Sequence, residues 1–213
     1  MESETVRRNL ERVRAQIAQA AARGGRDPAA VEVCAATKYV PVEEMAALAE
    51  AGITLVGENR AQDLEAKARA HGDRFTFDFI GHLQSRKVRA VLAHVRLIHS
   101  VASHSVLAQL ERHADPNTEV LIQVNTAGEA TKSGVAPGEL PAFLAACPVR
   151  VGGLATMPPA VADPEDSRPH FARLRELAAA HGLARLSMGT SQDFAVAVEE
   201  GATIVRIGTI LYD

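Results

Sequence analysis

The sequence predicts a single (β/α)₈ TIM-type barrel over residues 1–213, with one extra helix ahead of the first strand. Three observations carry that prediction. Short runs of small and β-branched apolar residues alternate with helix-patterned runs along the whole chain, and eight of the former can be counted. The connections are short, so each crossover helix returns the chain to the same edge of a parallel sheet. The chain closes on two turns of small residues, 187–191 and 208–209, around one apolar strand, which is where a barrel commonly seats a phosphate between its last two loops. An open doubly wound sheet is the alternative. It calls for a strand-order switch and usually a glycine-rich first turn, whereas the first turn here reads Thr37-Lys38-Tyr39.

Each element has its own pattern. Residues 3–23 place Val6, Leu10, Val13 and Ile17 on one helical stripe, which Gly24-Gly25 ends. Residues 31–36, VEVCAA, form the first strand and run into Thr37-Lys38, so Lys38 is expected at a strand's C-terminal end. Helix 42–51, strand 53–57, helix 60–71, strand 75–80 and helix 85–93 follow, punctuated by Gly52, Gly57, Gly72 and Gly81. Strand 95–98, helix 105–114, strand 119–124, helix 137–146 and strand 150–154 continue the alternation. Helix 166–181, strand 184–186, helix 192–200 and strand 203–207 complete it. The longest irregular pieces, 125–136 and 155–164, both follow strands. They therefore belong on the C-terminal face with Lys38 and the closing turns, the face that carries the chemistry of such barrels.

Composition narrows the function. With 213 residues, 47% hydrophobic and 23% charged, the chain can bury one substantial core, although it is short for a complete barrel. A formal net charge of −3 and the lack of any basic run give no electrostatic reason for nucleic acid or an acidic membrane surface as a partner. No stretch approaches the ~20 apolar residues of a membrane span, and the N-terminus is charged throughout rather than basic and then apolar. Cys34 and Cys147 lie far apart without C-x-x-C spacing, which argues against structural disulfides and zinc and favours a reducing cytoplasm. The chain is expected to act as a monomer.

The residues at strand ends are the candidate chemistry. Lys38 either caps nearby carbonyls or is an amine meant to react with a carbonyl, because desolvation at a strand end makes the neutral nucleophilic form available. Ser187, Gly189, Thr190 and Ser191 ahead of a helix, with Gly208 and Thr209 after the next strand, leave backbone N–H groups free for a phosphate. Ser191 as a plain helix N-cap is the alternative, as is Asn59 capping the helix after Gly57-Glu58. Arg206 lies in the strand between the two closing turns. His82 is a loop histidine of secondary interest, and Gln123, Asn125, Lys132 and Ser133 belong to the fifth loop, where Lys132 reads best as a solvated charge.

These residues fall in a series of motifs. They are TKYVP at 37–41, GENRAQ at 57–62, FIGHLQSRK at 79–87, QVNTAGEATKSG at 123–134, GLATMPP at 153–159, SMGTSQD at 187–193 and VRIGT at 205–209. In that order the chain resembles the YggS/PROSC family of pyridoxal phosphate homeostasis proteins, which are similar to the barrel domain of alanine racemase. The resemblance implies that Lys38 carries pyridoxal 5′-phosphate as an internal aldimine, that Ser191, Gly208 and Thr209 bind its phosphate, and that Arg206 faces the pyridine nitrogen. Asn59 and Met157 are the remaining cofactor-binding candidates. The family usually has Trp-His before FIG, where this chain has Phe77-Asp78, usually reads SMGMS where this chain has Thr190, and usually ends in glycine where this chain ends in Tyr212-Asp213.

The use of the cofactor turns on Arg206. Pyridoxal enzymes usually set an acid against the ring nitrogen, so that the protonated ring withdraws electrons. A guanidinium only donates and should leave that nitrogen unprotonated. Racemases of similar fold add a second base from a further domain or a partner subunit, and neither Tyr39 nor Tyr212 carries a motif that marks it as that base. The expectation is a non-enzymatic carrier that sequesters pyridoxal phosphate and supplies it to dependent apoenzymes. A racemase-like amino-acid enzyme and a sugar-phosphate enzyme using Lys38 on its substrate are the alternatives.

Overall fold

The alternation closes on itself. In the computed structural model, which describes residues 1–128 and 133–213, eight parallel strands form a closed barrel in sequence order. The strands are β1 Glu32–Ala36, β2 Leu55–Glu58, β3 Thr76–Phe79, β4 Leu97–Val101, β5 Glu119–Gln123, β6 Arg150–Ala155, β7 Arg185–Ser187 and β8 Ile204–Ile207. Closure is made by β8 against β1, where Cys34 stands opposite Arg206 and Ala35 opposite Ile207. The helices are α1 Ser3–Arg23, α2 Met45–Glu50, α3 Ala61–His71, α4 Val88–Leu92, α5 His104–His113, α6 Leu140–Ala145, α7 Arg168–Ala180 and α8 Phe194–Glu199.

The helix expected ahead of the first strand is present, and its place in the ring is informative. β8 is followed only by a 3₁₀ turn, Thr209–Leu211, so no helix of its own covers the β8–β1 seam among the described residues. α1 packs against α8, α2 and that turn and stands in the missing position. Its stripe of Val6, Leu10, Val13, Ile17, Ala20 and Ala21 is fully buried. Polar side chains also tie it down. The Asn9 side-chain amide donates to the carbonyls of Leu211 at 3.3 Å and Asp213 at 2.7 Å. Arg26, just beyond the helix, donates to Val198 O at 2.8 Å and Ala202 O at 3.0 Å.

Two apolar layers result. The larger lies between strands and helices, and a smaller one of Cys34, Leu97, Leu121, Ala155 and Ile204 fills the barrel interior. Towards the strand C-termini the interior turns polar, with Asp78, His99, Ser187 and Arg206 all buried.

Most element ends fall within a residue or two of the pattern, as helix and strand ends do. The helices expected at 42–51, 85–93 and 137–146 are shorter than their periodicity. Each opens in a 3₁₀ turn, at Val42–Glu44, Ser85–Lys87 and Pro137–Glu139, so its α-helical part begins three residues later than the pattern does. The strand expected at 95–98 is shifted to Leu97–Val101, since the polar pair His99-Ser100 continues it into the buried interior. Lys132 lies outside the described residues. Among the described residues no helix is long and apolar enough to cross a membrane.

Candidate functional site

At the C-terminal ends of the strands lies a cavity of about 190 Å³ lined by Asn59, His82, His99, Gln123, Met157 and Arg206 among others. Arg206 commands it. The strand register places this residue opposite Cys34, and its side chain is 7% exposed. One Nη donates to Ser187 Oγ at 2.6 Å, while the other donates to Thr156 O at 2.9 Å and lies 3.7 Å from Met157 Sδ. Burial draws the guanidinium's pKa down from its ordinary value. It remains a donor-only group whose other N–H groups have no partner among the described residues.

Behind Arg206 a polar chain crosses the barrel. His99 Nδ1 lies 2.8 Å from Ser187 Oγ, and its Nε2 lies 3.1 Å from Asp78 Oδ2. Arg96 then grips Asp78 from below, with Nε 3.1 Å from Oδ1 and Nη2 2.8 Å from Oδ2, and also binds both oxygens of Glu32 at 2.9 Å. Burial alone would raise the Asp78 pKa, but hydrogen bonds from His99 and Arg96 outweigh it and hold the carboxyl below the ordinary carboxylate range. Burial lowers the His99 pKa more than Asp78 raises it, so the ring is neutral near pH 7.

The two closing turns meet. Gly208 N–H donates to Ser191 Oγ at 3.0 Å, so this N–H is engaged rather than free as expected, and Ser191 is not a helix cap but the link between the loops after β7 and β8. The residue before α8 is Asp193, which instead accepts from Thr190 N at 2.7 Å and Thr190 Oγ1 at 3.0 Å and from Ser167 Oγ at 2.9 Å. That carboxylate shapes the 189–191 turn from behind. Gly189 allows it, since its φ is +89° and a Cβ there would stand 2.6 Å from Ala197 Cβ. The backbone N–H groups of Ser191, Gln192, Thr209 and Ile210 make no hydrogen bond among the described residues. Ser187, read from sequence as part of this turn, is instead the last residue of β7 and lies buried beside Arg206.

Lys38 stands apart. It lies two residues beyond the C-terminal end of β1, where the sequence places it, but in an exposed turn, with its ammonium 4.6 Å from the centre of the Tyr39 ring. The desolvating surroundings expected for it are absent in this side-chain position. The chain beneath it is clamped. Lys67 on α3 donates to Thr37 O at 2.7 Å and forms a very short ion pair with the fully buried Glu58, which also accepts from Thr37 Oγ1 at 2.5 Å. Next to Glu58, Asn59 leaves its side-chain oxygen buried and without a partner, and it does not cap α3. The loop after β3 approaches it so closely that a Cβ on Gly81 would meet Asn59 O at 2.1 Å.

The structure thus gathers Asn59, Met157 and Arg206 on one cavity and joins Ser191 to Gly208, with Thr209 next in the same turn. It leaves Lys38 turned outward beside a separate shallow hollow that it shares with Tyr39, Asp63 and Lys67. His99 and Thr156 are the site residues that sequence reasoning missed, while Ser187 and Asp78 were noticed without their contacts to Arg206 and His99. The signal for His99 is a polar residue within β4, set inward where an apolar one is the rule. A larger hollow, about 560 Å³, lies between α1 and the N-terminal ends of β1 to β3. It is at the opposite end from the candidate residues, the end that in such barrels serves stability rather than chemistry.

Fold and cavity together define a parallel (β/α)₈ barrel with its polar site at the strand C-termini. The chain belongs to the alanine racemase N-terminal domain family, whose model matches residues 4–213. It is 42% identical over 217 residues to a pyridoxal phosphate homeostasis protein of Aquifex aeolicus, covering 95% of each chain. A protein of the same name from Pseudomonas aeruginosa is 38% identical, with 98% of this chain and 95% of that one covered. Among solved structures, PipY of Synechococcus elongatus with PLP bound superposes with a TM-score of 0.82 at 30% identity, covering 98% of this chain and all (100%) of that one. A lysine/ornithine decarboxylase of Vibrio vulnificus shares the fold at a TM-score of 0.69 and 14% identity.

Proposed function

We propose that this protein binds pyridoxal 5′-phosphate at the C-terminal end of its barrel and acts as a carrier that sequesters and supplies it. The observation that carries the reading is the buried Arg206 guanidinium, fixed by Ser187 and Thr156 and turned to the cavity. The residues present fit the group. Arg206 offers an N–H to the ring nitrogen, and the partnerless Asn59 side chain can turn either its oxygen or its NH₂ to the ring's hydroxyl. Ser191 with the free N–H groups beside it, and those of Thr209 and Ile210, offers donors to a phosphate. Lys38, once its side chain leaves the Tyr39 ring and swings to the cavity, would be the amine for the aldehyde carbon, and Met157, with its Sδ 3.7 Å from Arg206, can cover the ring. When bound, the cofactor supplies a reactive aldehyde and an electron-withdrawing ring.

The chain's own residues weaken that withdrawal. Arg206 cannot hand a proton to the ring nitrogen without becoming a buried neutral base, so it donates a hydrogen bond and keeps the nitrogen unprotonated. Neither tyrosine is set as a second base. Tyr39 is exposed, while Tyr212 is partly buried, donates to Ala36 O at 3.1 Å and has its pKa raised by burial. Neither lines the cavity. Recipients of the cofactor would be pyridoxal-dependent apoenzymes, and the carrier is read as a monomer.

The experiment is direct. Protein loaded with pyridoxal phosphate should absorb in the visible, and borohydride should bleach it while adding the pyridoxyl mass at Lys38. Lys38→Ala should keep its circular dichroism and lose both signals, because an exposed turn lysine contributes little to packing. Colour and a trapped mass retained in that variant would remove Lys38 from the site. Rapid racemisation of an amino acid by the parent would replace the carrier with the enzyme reading.

A further inference from the structure

We propose that Asp78 and His99 are positioning residues for Arg206, holding its guanidinium in one orientation at the cavity through a buried chain of hydrogen bonds that crosses the barrel from β3 to β8. The proposal deepens the function above and rests on it only for what the guanidinium faces. Each link has one direction. Asp78, gripped through both oxygens by Arg96, is an ionised carboxylate and can only accept. His99 Nε2 at 3.1 Å must therefore carry the ring's proton and donate. A neutral ring with its proton on Nε2 has a bare Nδ1, which at 2.8 Å accepts the Ser187 hydroxyl. That spends the only proton of Ser187, and its oxygen is left with lone pairs for Arg206 Nη1 at 2.6 Å.

The carboxylate decides the outcome at a distance. Were the imidazole proton on Nδ1, His99 would donate to Ser187, and the hydroxyl hydrogen would be free to turn against the guanidinium, donor facing donor. Asp78 selects the tautomer that prevents this, much as an outer carboxylate orients a histidine that binds a metal. With Ser187 on one Nη and Thr156 O on the other at 2.9 Å, the guanidinium plane is held at two points. His99 lines the cavity, yet both its nitrogens are engaged within the barrel, so it orients rather than meets a ligand.

The test begins with the ligand-free protein, labelled with ¹⁵N at arginine and histidine. In the parent, His99 should report the Nε2–H tautomer, and the Arg206 Nη resonances should be separate because rotation is restricted. Asp78→Asn should mix the tautomers, and both it and His99→Leu should merge the Nη resonances. Titration with pyridoxal phosphate follows. His99→Leu should weaken binding about tenfold, the scale of one charge-assisted hydrogen bond, and should weaken it no further when added to Arg206→Gln. Nη resonances that stay separate in both variants would overturn the proposal, as would two affinity losses that simply add. If the parent does not bind pyridoxal phosphate, the proposed function fails while the resonance measurement still decides the relay. If His99→Leu does not fold, Asp78→Asn, which keeps the volume and an acceptor for His99, carries both measurements.

Discussion

Ser191 shows how a single side chain can be legible in type and misread in contact. A serine between Thr190 and Gln192 before a helix satisfies the pattern of an N-cap and of a phosphate turn equally well. Its hydroxyl in fact receives Gly208 N–H from the next loop, a long-range contact that no local pattern encodes. On the proposed function, replacing Ser191 by Ala would remove one donor to the phosphate and one acceptor for Gly208, a loss of ~1.5–3 kcal/mol and so roughly one to two orders of magnitude in pyridoxal phosphate affinity. Titration should also find less discrimination against unphosphorylated pyridoxal. Equal affinity and equal preference in parent and variant would mean the phosphate lies elsewhere. Asp78 is the opposite case. It was visible in sequence as a departure from Trp-His, but its meaning depends on Arg96, just ahead of β4, and on His99 within that neighbouring strand.

At the scale of elements, the strands and helices were readable because a barrel repeats one local rule, and they were misjudged where polar residues enter the interior. The apolar pattern ends β4 at Ile98 because a histidine and a serine do not extend an apolar run, and His99, the middle of the relay, lies beyond that end. α3 carries a similar hidden contact. Its Lys67 is 3% exposed, a rare fate for lysine, and bridges Glu58 on β2 to the carbonyl of Thr37 just after β1. It thus fixes the backbone immediately before Lys38. Lys67→Ala leaves a buried carboxylate unpaired and should cost roughly 3–5 kcal/mol in urea unfolding. Adding Glu58→Gln should recover a large part of that loss. A single variant that costs under ~1 kcal/mol, the range of a surface ion pair, would show that water reaches Glu58.

The whole molecule should feel the relay in its response to acid. Folding holds His99 below its ordinary value of 6.5, so as pH falls through that value the unfolded chain takes up a proton that the folded chain refuses. Stability must then decline with falling pH, at a slope approaching ~1.4 kcal/mol per pH unit for one proton. Asp78 is held below its ordinary value of 3.8, so its contribution is present above that value and is lost as pH falls beneath it. Urea midpoints measured from pH 8 to 3 should show the decline beginning near 6.5 in the parent, and His99→Leu should remove that first part alone. An identical pH profile in both proteins would mean that His99 does not resist protonation in the folded state.

Closure of the barrel gives the last test, because the eighth helix of the ring comes first in the chain. α1 buries Val6, Leu10, Val13 and Ile17 against the seam that β8 leaves uncovered. At ~1.5–3 kcal/mol for each large side chain, those four represent about 6–12 kcal/mol, comparable with the whole stability of an ordinary domain at ~5–15 kcal/mol. Deleting residues 1–24 should therefore abolish cooperative unfolding. The same helix should work equally well from the other end of the chain. Asn9 holds the Asp213 carbonyl at 2.7 Å, and Ser3 lies about 9 Å further along the helix at ~1.5 Å per residue, a gap that a linker of roughly five residues spans. A circular permutant that starts at Gly25, where φ is +64° and open space surrounds the backbone, and that carries residues 1–24 after the linker, should fold with one urea transition close to the parent's. Cooperative unfolding of the deletion variant, or failure of the permutant to fold, would make α1 an appendage rather than a member of the ring.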